Sequence, residues 1–530
     1  MDTDYGRKIT KNTFFVSTAY VFGVAVSFII TPYVIHKLGM VRFGVLALIN
    51  TFFAYYGLLD LGINFSFIKF ISQYYSKKEY RTINHLLSTG VCFNIVFGLL
   101  IFIIVVLTRN LFLHVFRIEE GLMDEISRTL FITGALYFIH APFRIFSSLI
   151  DGLQRFEISR TISITTTVIS TISTVVALKL GYKLDGLVLV NGITYFFTIF
   201  LTVLMSKTIY PGMKINLLRF DKGIFRELFS FGFNVQISQL ARIIHFEADK
   251  LIIGIFLSPV FVGFYEAGAK INRVLKMVPT FTLFAVLPAS SEMHAAGKHK
   301  QLFSLYSYGS KFMALINIFL SIVIFVLAPQ IIYLWLGQGF EMSVVVVRML
   351  IFAYSVNVMI SAFGMEIARG MGKVVYERRA SLYQAILNIL LSTLLTYLYG
   401  FRGALLGTVI SSLFGAFYFL YIFHRDIVPY NLKLLFNNFY KKPLYKGALL
   451  GIFIFIANKY ILSNFGNLNR INMAWYVLTV NVISFFAFSL MILQSGYFSR
   501  MELSRILDSV SPWVRINIKI IKSLYGKNDE

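Results

Sequence analysis

Phe93-Asn94-Ile95-Val96-Phe97-Gly98-Leu99-Leu100-Ile101-Phe102-Ile103-Ile104-Val105-Val106-Leu107 is the heart of a run, residues 85–107, that holds no Asp, Glu, Lys or Arg. A helix rises 1.5 Å per residue, so about 20 apolar residues cross a hydrocarbon layer. The run meets that length and reads as a transmembrane helix. Outward from it the pattern recurs, giving about fourteen expected spans. The first six are 12–37, 43–68, 85–107, 129–150, 158–180 and 184–206. The next six are 229–257, 261–288, 307–329, 344–368, 380–399 and 403–423, and two more follow at 444–462 and 473–493.

The bulk numbers agree. Of 530 residues, 57% are hydrophobic and 14% charged, against about 25% charged in soluble domains. The mean hydropathy is +0.73. A chain of this kind uses lipid as its solvent. Its lone cysteine, Cys92, excludes an intrachain disulfide, and no Cys/His cluster points to a metal. The basic segment Met1 to Lys11 runs into an apolar stretch too long for a signal peptide, so it opens a retained first helix. No Walker A loop, GxSxG or HExxH is present, which argues against ATP hydrolysis and against an enzyme. No cofactor is expected.

The net charge of +24 has two readings, a nucleic-acid partner or cytoplasmic loops that retain Lys and Arg during insertion. Placement separates them. With the N-terminus in the cytoplasm, inside segments hold 33 Lys and Arg and outside loops 11. That bias orients the chain with both termini cytoplasmic and leaves no role for nucleic acid. After Gln494 the tail is basic and amphipathic, with Pro512, Trp513 and Ile516 among Arg515, Lys519 and Lys522, and is expected to lie on the membrane surface.

Three anchors repeat at nearly constant offset. Leu38-Gly39 with Phe43-Gly44 matches Leu257-Ser258 with Val262-Gly263. Asp151-Gly152-Leu153-Gln154-Arg155 matches Arg369-Gly370-Met371-Gly372-Lys373, and Arg160 then falls on Arg378. Tyr182-Lys183-Leu184-Asp185-Gly186 matches Tyr399-Gly400-Phe401-Arg402-Gly403. The fold class expected is therefore an all-α polytopic membrane protein: two parallel six-helix repeats plus two extra C-terminal helices. The units are an N-terminal lobe over 1–211, a C-terminal lobe over 212–428, helices thirteen and fourteen over 429–495 and the tail over 496–530.

Ionisable groups inside a bilayer are costly and mark functional sites or structural pairs. Asn234, Ser238, Arg242, His245 and Asp249 share one face of helix seven, with Gln239 and Lys250 bordering it and Glu247 pointing elsewhere. Glu266, Lys270 and Arg273 share a face of helix eight, with Lys276 at its edge. The first-half counterparts are nearly neutral, so a cavity between halves is expected to be polar on its second-half wall and to favour an anion. The competing reading pairs Glu266 with Lys270, and Asp249 with Lys250 or Arg242. Arg273 and Lys276 have no evident local partner. Asp60, in Leu59-Asp60-Leu61-Gly62, is either a coupling-proton carrier or the cap of a helix break. Arg144, near His140 and Pro142, is placed to line the inner vestibule or to reach the interface. Glu366 is a proton site or a partner of Arg369. Pro32 and Pro288 are expected to bend their helices. Glu119, Glu120, Asp124 and Glu125 fall in an expected outer loop, Thr108 to Arg128, as solvated acids.

The run Ile29-Ile30-Thr31-Pro32-Tyr33, with Leu38-Gly39, Phe43-Gly44 and Leu59-Asp60-Leu61-Gly62-Ile63, resembles polysaccharide flippases of the Wzx type. Ala248-Asp249-Lys250-Leu251-Ile252-Ile253-Gly254 and Val262-Gly263-Phe264-Tyr265 are similar to the start of that family's second half. The resemblance implies the superfamily that also holds multidrug exporters and the lipid II flippase, with alternating access between two lobes. It implies a bacterial inner-membrane protein that flips polyprenyl-pyrophosphate-linked oligosaccharide outward for surface polysaccharide synthesis. Proton or sodium coupling, and a polymerase or ligase partner, accompany that expectation. Their place within the membrane spans makes Arg242, His245, Asp249, Lys270, Arg273, Lys276 and Arg144 candidates for substrate contact, and Asp60, Glu266 and Glu366 candidates for ion coupling. The alternatives are a lipid II flippase, a drug or metabolite exporter with an acidic cavity and about twelve helices, and a membrane-embedded glycosyltransferase or polymerase with a large outer domain.

Overall fold

A computed structural model describes residues 3–58, 60, 62–217, 219–283, 286–465, 469–499 and 502. For 3–10, 58, 234–235, 237–243, 245–246, 275–276, 278–282, 462 and 464–465 it describes the backbone alone. The described residues form helices and no strand. The first six helical units are α1 (Thr3–Leu38), α2 (Met40–Leu58, then Ile63–Ser76), α3 (Tyr80–Val115), α4 (Glu120–His140, a tight turn Ala141–Phe143, Arg144–Gly152), α5 (Phe156–Lys179) and α6 (Leu184–Ile209). The next are α7 (Lys222–Phe256), α8 (Pro259–Leu283, then Val286–Ala295), α9 (His299–Leu336) and α10 (Glu341–Asn357, a widened turn Val358–Ala362, Phe363–Gly370). Val374–Asp426 folds back on Gly400 (φ 60, ψ −141) into α11 (374–399) and α12 (401–426). Last come α13 (Leu432–Leu435, Phe436–Tyr440, Lys441–Phe465) and α14 (Arg470–Gln494).

Eleven stretches of the described chain are long and apolar enough to cross a membrane, and the break at Gly400 divides one of them in two. Helices α7 and α8, at 35 residues and 25 for its first piece, have the length but carry charge. About fourteen spans result, as expected. The expected outer loop at 108–128 is nearly all helix, because α3 runs to Val115 and α4 begins at Glu120. Glu119, Glu120 and Asp124 are exposed, but Glu125 is not a solvated acid. Arg42 grips it through Nε at 3.0 Å and Nη2 at 2.8 Å, and it accepts the Leu184 N–H at 3.3 Å.

The repeat is written in the turns. Positive-φ residues recur at matching points of the two halves: Lys78 (59°) and Gly297 (68°), Arg117 (50°) and Gly337 (95°), Gln154 (57°) and Gly372 (73°). A left-handed residue ends a helix by letting the chain reverse. Shared positions of that kind are harder to obtain by chance than shared glycines.

The turn at Gly39 marks one end of the bundle and the turn at Gly152 the other. Near Gly39 a single core joins both halves, from Val45, Leu48 and Phe116 to Val262, Val347 and Leu405. Near Gly152 the core is divided: Ile63, Phe67, Leu86 and Leu149 in the first half, Tyr306, Phe363 and Phe423 in the second. Helix α2 is the strut along which the halves meet. At the Gly39 end a Cβ on Gly44 would lie 1.7 Å from the Pro259 carbonyl oxygen, and one on Gly263 2.9 Å from that of Met40. Phe28 stacks on Trp335 at 4.4 Å, and the indole N–H donates to the Phe28 carbonyl at 2.9 Å. Toward the other end Gly62 (φ 72) would place a Cβ 2.2 Å from the Gly232 carbonyl oxygen, and the Ser66 hydroxyl donates to the Leu228 carbonyl at 2.8 Å. Pro32 lies within the continuous helix α1. The tail turns back through Glu502, whose carboxylate meets Lys311 at 2.8 Å. The amphipathic stretch with Pro512 and Trp513 lies outside the described residues.

Candidate functional site

Within the first half, beside the Gly44 contact, lies a cavity of about 420 Å³. Helices α1, α2, α5 and α6 line it, and Lys270 of α8 reaches in from the second half. A neighbouring cavity of about 320 Å³ shares Gly23, Ser27 and Lys270 with it and adds Arg273. Both volumes fall in the range of small-molecule sites. Lys270 Nζ donates to Thr31 Oγ1 at 2.7 Å and lies 3.4 Å from Ser27 Oγ. This ammonium crosses the seam between halves.

The wall polarity is the reverse of the expectation. Apart from Lys270 the larger cavity takes its polar lining from the first half, mainly Thr and Ser of α5 with Asn50 and Asn191. The sequence signal for it is the run Thr165-Thr166-Thr167-Val168-Ile169-Ser170-Thr171-Ile172-Ser173-Thr174. Sequence reasoning misses it because Thr and Ser in apolar helices also satisfy themselves on their own backbone.

The charged residues of α7 and α8 form a ladder. The Thr51 hydroxyl donates to Glu247 at 2.7 Å, Glu247 pairs with Lys250, and Lys250 reaches Glu266 at 3.2 Å. Arg273 Nη2 then sits 2.9 Å from both oxygens of Glu266. Two expectations fail here. Glu266 is partnered by Lys250 and Arg273 rather than by Lys270, and Arg273 does have a local partner. Spacing on one helix cannot show that Lys250 arrives from the neighbouring one. Arg273 remains half-exposed, with 49% of its side chain accessible, so it keeps donors free. Glu247, which the helical spacing points away from the polar face, is a member of the ladder. The ladder itself balances, Lys250 and Arg273 against Glu247 and Glu266, so Lys270, which bonds Thr31 instead, is the cation left over beside it. The side chains of Arg242, His245 and Lys276 lie outside the described residues.

Asp249 makes no ion pair with Lys250, and the Arg242 side chain lies outside the described residues. It is 1% exposed and accepts four neutral donors: Thr408 Oγ1 at 2.5 Å, Tyr265 OH at 2.9 Å, Ser392 Oγ at 3.1 Å and Asn388 Nδ2 at 3.2 Å. Asn388 Oδ1 beside it has no hydrogen-bond partner among the described residues. This is a small oxygen-rich cage, away from the residues that line either cavity.

Asp60 caps the break in α2, in keeping with one of its two readings. Its Oδ1 accepts the Gly62 N–H at 2.9 Å and its Oδ2 the Asn64 amide at 2.8 Å. Arg144 of α4 approaches at 3.6 Å and also donates to Tyr137 OH at 3.3 Å. His140 stacks on Tyr195 at 4.6 Å. Glu366 pairs with Arg369 at 2.5 Å, and Arg369 also holds Glu377. No group of three His, Cys, Asp or Glu suited to a metal occurs among the described residues.

An apolar cleft of about 510 Å³ lies between α9 and α14, walled by Phe319, Phe485, Phe488 and Ile492.

The family model described as polysaccharide biosynthesis protein matches residues 9–294. No curated protein matches the chain. Among solved structures, the lipid II flippase MurJ in an inward closed conformation is similar at 14% identity and TM-score 0.68, covering 92% of this chain and 99% of that one. An inward-facing multidrug resistance MATE family transporter of the MOP superfamily is similar at 14% identity and TM-score 0.60, covering 78% and 95%. A MOP superfamily transporter from Pyrococcus furiosus, whose binding pocket is described as of reverse polarity, is similar at 13% identity and TM-score 0.57, covering 79% and 97%. At these identities the likeness is one of fold.

Proposed function

The chain belongs to the polysaccharide biosynthesis protein family, and from that premise we propose that it flips a polyprenyl-pyrophosphate-linked oligosaccharide from the cytoplasmic to the outer leaflet of a bacterial plasma membrane. The observation that carries the reading is Lys270, a cation delivered across the seam into a hydroxyl-lined cavity. A saccharide cannot cross hydrocarbon without losing its hydrogen bonds with water. A polar cavity at the seam, built from the first half and closed by Lys270 of the second, replaces them, and alternating access exposes it to one side and then the other. Arg273, half-exposed at the adjoining cavity, adds a planar donor fork for phosphate oxygens. The prenyl tail stays in lipid. The apolar cleft fit to hold it lies between α9 and α14 rather than between α13 and α14.

The Lys and Arg distribution supports an orientation with both termini in the cytoplasm and the Gly39 end outside. With that orientation a negative-inside potential drives an anion outward by about 2.3 kcal/mol per charge per 100 mV. The Asp249 cage is the seat of a coupling proton or sodium ion. A carboxylate ringed by neutral oxygens is electrostatically unpaired until a cation joins it. A polymerase or ligase takes the lipid at the outer face. The likeness to MurJ favours lipid II as the second reading. A drug exporter fits less well, because no carboxylate is among the described residues that line either cavity.

The test is the double variant Lys270→Ala/Arg273→Ala. Loss of surface polysaccharide with normal membrane abundance is expected. Unchanged polysaccharide at equal abundance overturns the anion site.

A further inference from the structure

The cavity wall on α5 and α6 has a chemistry of its own. Thr167, Thr171 and Thr194 donate their hydroxyl hydrogens to carbonyls one turn back, at 2.8, 2.7 and 2.8 Å. The hydrogen of each is committed, so each oxygen offers the cavity lone pairs only. Ser170, Thr174, Asn50 and Asn191 line the same cavity and make no hydrogen bond to other described residues. Their donors and acceptors are both open. From Thr167 to Thr174 the wall extends about 10 Å along α5. Among the described residues no acidic side chain lines it, and Lys270 is the cation that does, standing where it adjoins the second cavity.

We infer that this first-half wall reads the sugar: it selects a neutral, hydroxyl-rich saccharide, while Lys270 holds the phosphate at the wall's edge. The inference rests on the lipid-flipping reading above and divides its ligand between the two halves. Fixed acceptors match sugar hydroxyl donors, and the open amides of Asn50 and Asn191 match either a hydroxyl or an acetamido group. A saccharide bearing carboxylates would bury charge against these lone pairs with no cation beyond the one already engaged by phosphate, which is costly. An apolar guest would leave the open amides unpaired. The wall therefore discriminates by what it would leave unsatisfied, the more selective form of recognition.

The experiment uses the full-length protein in detergent and three polyprenyl pyrophosphates: one without sugar, one carrying a neutral disaccharide and one carrying a uronic-acid disaccharide. Binding of each is titrated by native mass spectrometry. For wild type, the neutral saccharide lipid should bind about 10-fold or more tighter than the other two, since each matched hydrogen bond contributes severalfold. Thr167→Val/Thr171→Val keeps the shape and removes two acceptors. It should erase most of that preference and leave the sugar-free lipid within about twofold of wild type. Asn191→Leu, on a different helix, should do the same and serves if the first variant fails to fold. Lys270→Ala should weaken all three lipids alike. Wild-type binding that ignores the sugar, or wall variants that weaken every lipid equally, overturns the saccharide wall and leaves the flippase reading standing. Wild-type failure to bind any of the three, or indifference to Lys270→Ala, overturns the flippase reading itself.

Discussion

At the residue scale, the costliest group is Asp249. Its carboxylate is withdrawn from water and held by Thr408, Tyr265, Ser392 and Asn388 without a cation among the described residues. Removing it leaves the Tyr265 hydroxyl without an acceptor among the described residues, while Thr408 and Ser392 keep the Ala404 carbonyl and Asn388 keeps the Ser392 hydroxyl. Asp249→Ala should lower stability by about 1–3 kcal/mol, read as a fall in the thermal midpoint in detergent. Asp249→Asn keeps the shape and removes the charge. It should keep the protein folded and abolish the dependence of transport on a sodium or proton gradient, measured by imposing each gradient separately on proteoliposomes. Transport by Asp249→Asn that still follows either gradient would move the coupling site elsewhere. Arg273 shows what spacing could not supply. The sequence placed Glu266, Lys270 and Arg273 on one face of α8, but the choice of partner depended on Lys250 arriving from α7. Interhelical distance is not written in either helix alone.

At the element scale, glycines decide how closely helices approach. Gly44 and Gly62 sit where any Cβ would strike backbone of the other half, and backbone cannot rotate aside. Gly39 has a left-handed φ of 79° and open space around its Cβ position. Gly39→Ala should therefore cost only about 1 kcal/mol of backbone strain, with transport retained. Gly44→Ala and Gly62→Ala should each reduce transport in proteoliposomes more than 10-fold at unchanged expression, because each wedges α2 away from α8 or α7. Equal losses for all three variants would show that strain alone, not contact between halves, governs the phenotype. The spans were legible because an apolar run of about 20 residues matches the thickness of a bilayer and outruns most buried core helices. The repeat was legible at turns, where Gln154 and Gly372 hold the same left-handed geometry. The break in α10 at Val358–Ala362 was not, since nothing there departs from an apolar helical pattern, whereas the break in α4 at Ala141–Phe143 is signalled by Pro142. The α5 wall stayed hidden for a related reason: its threonines satisfy their own backbone, and sequence cannot tell which of them also borders empty space.

At the scale of the whole molecule, the two ends of the seam are unequal. Near Gly39 one large apolar core spans both halves, while near Gly152 there are two smaller ones, of which one joins the first half to α7 through Leu228. Separating the halves at the Gly39 end exposes shared core at about 25 cal/mol per Å². The Gly152 end gives up fewer apolar contacts, so it should open more readily at rest. In a Cys92→Ser background, a cysteine placed at the cavity by Val26→Cys should react faster with an impermeant thiol reagent in inside-out vesicles than in right-side-out ones. The opposite order would reverse the assignment of the easier gate. Flipping follows from this frame: a polar cavity with a seam-crossing cation, in a bundle whose two ends are unequally joined.

The most direct measurement is to delete the gene and identify by mass spectrometry the polyprenyl-linked species that accumulates in the membrane. Accumulation of one complete oligosaccharide on a polyprenyl pyrophosphate, cleared by the wild-type gene and not by Lys270→Ala/Arg273→Ala, is the expected result. No accumulation, together with new sensitivity to a cationic drug, would contradict it and make the protein an exporter.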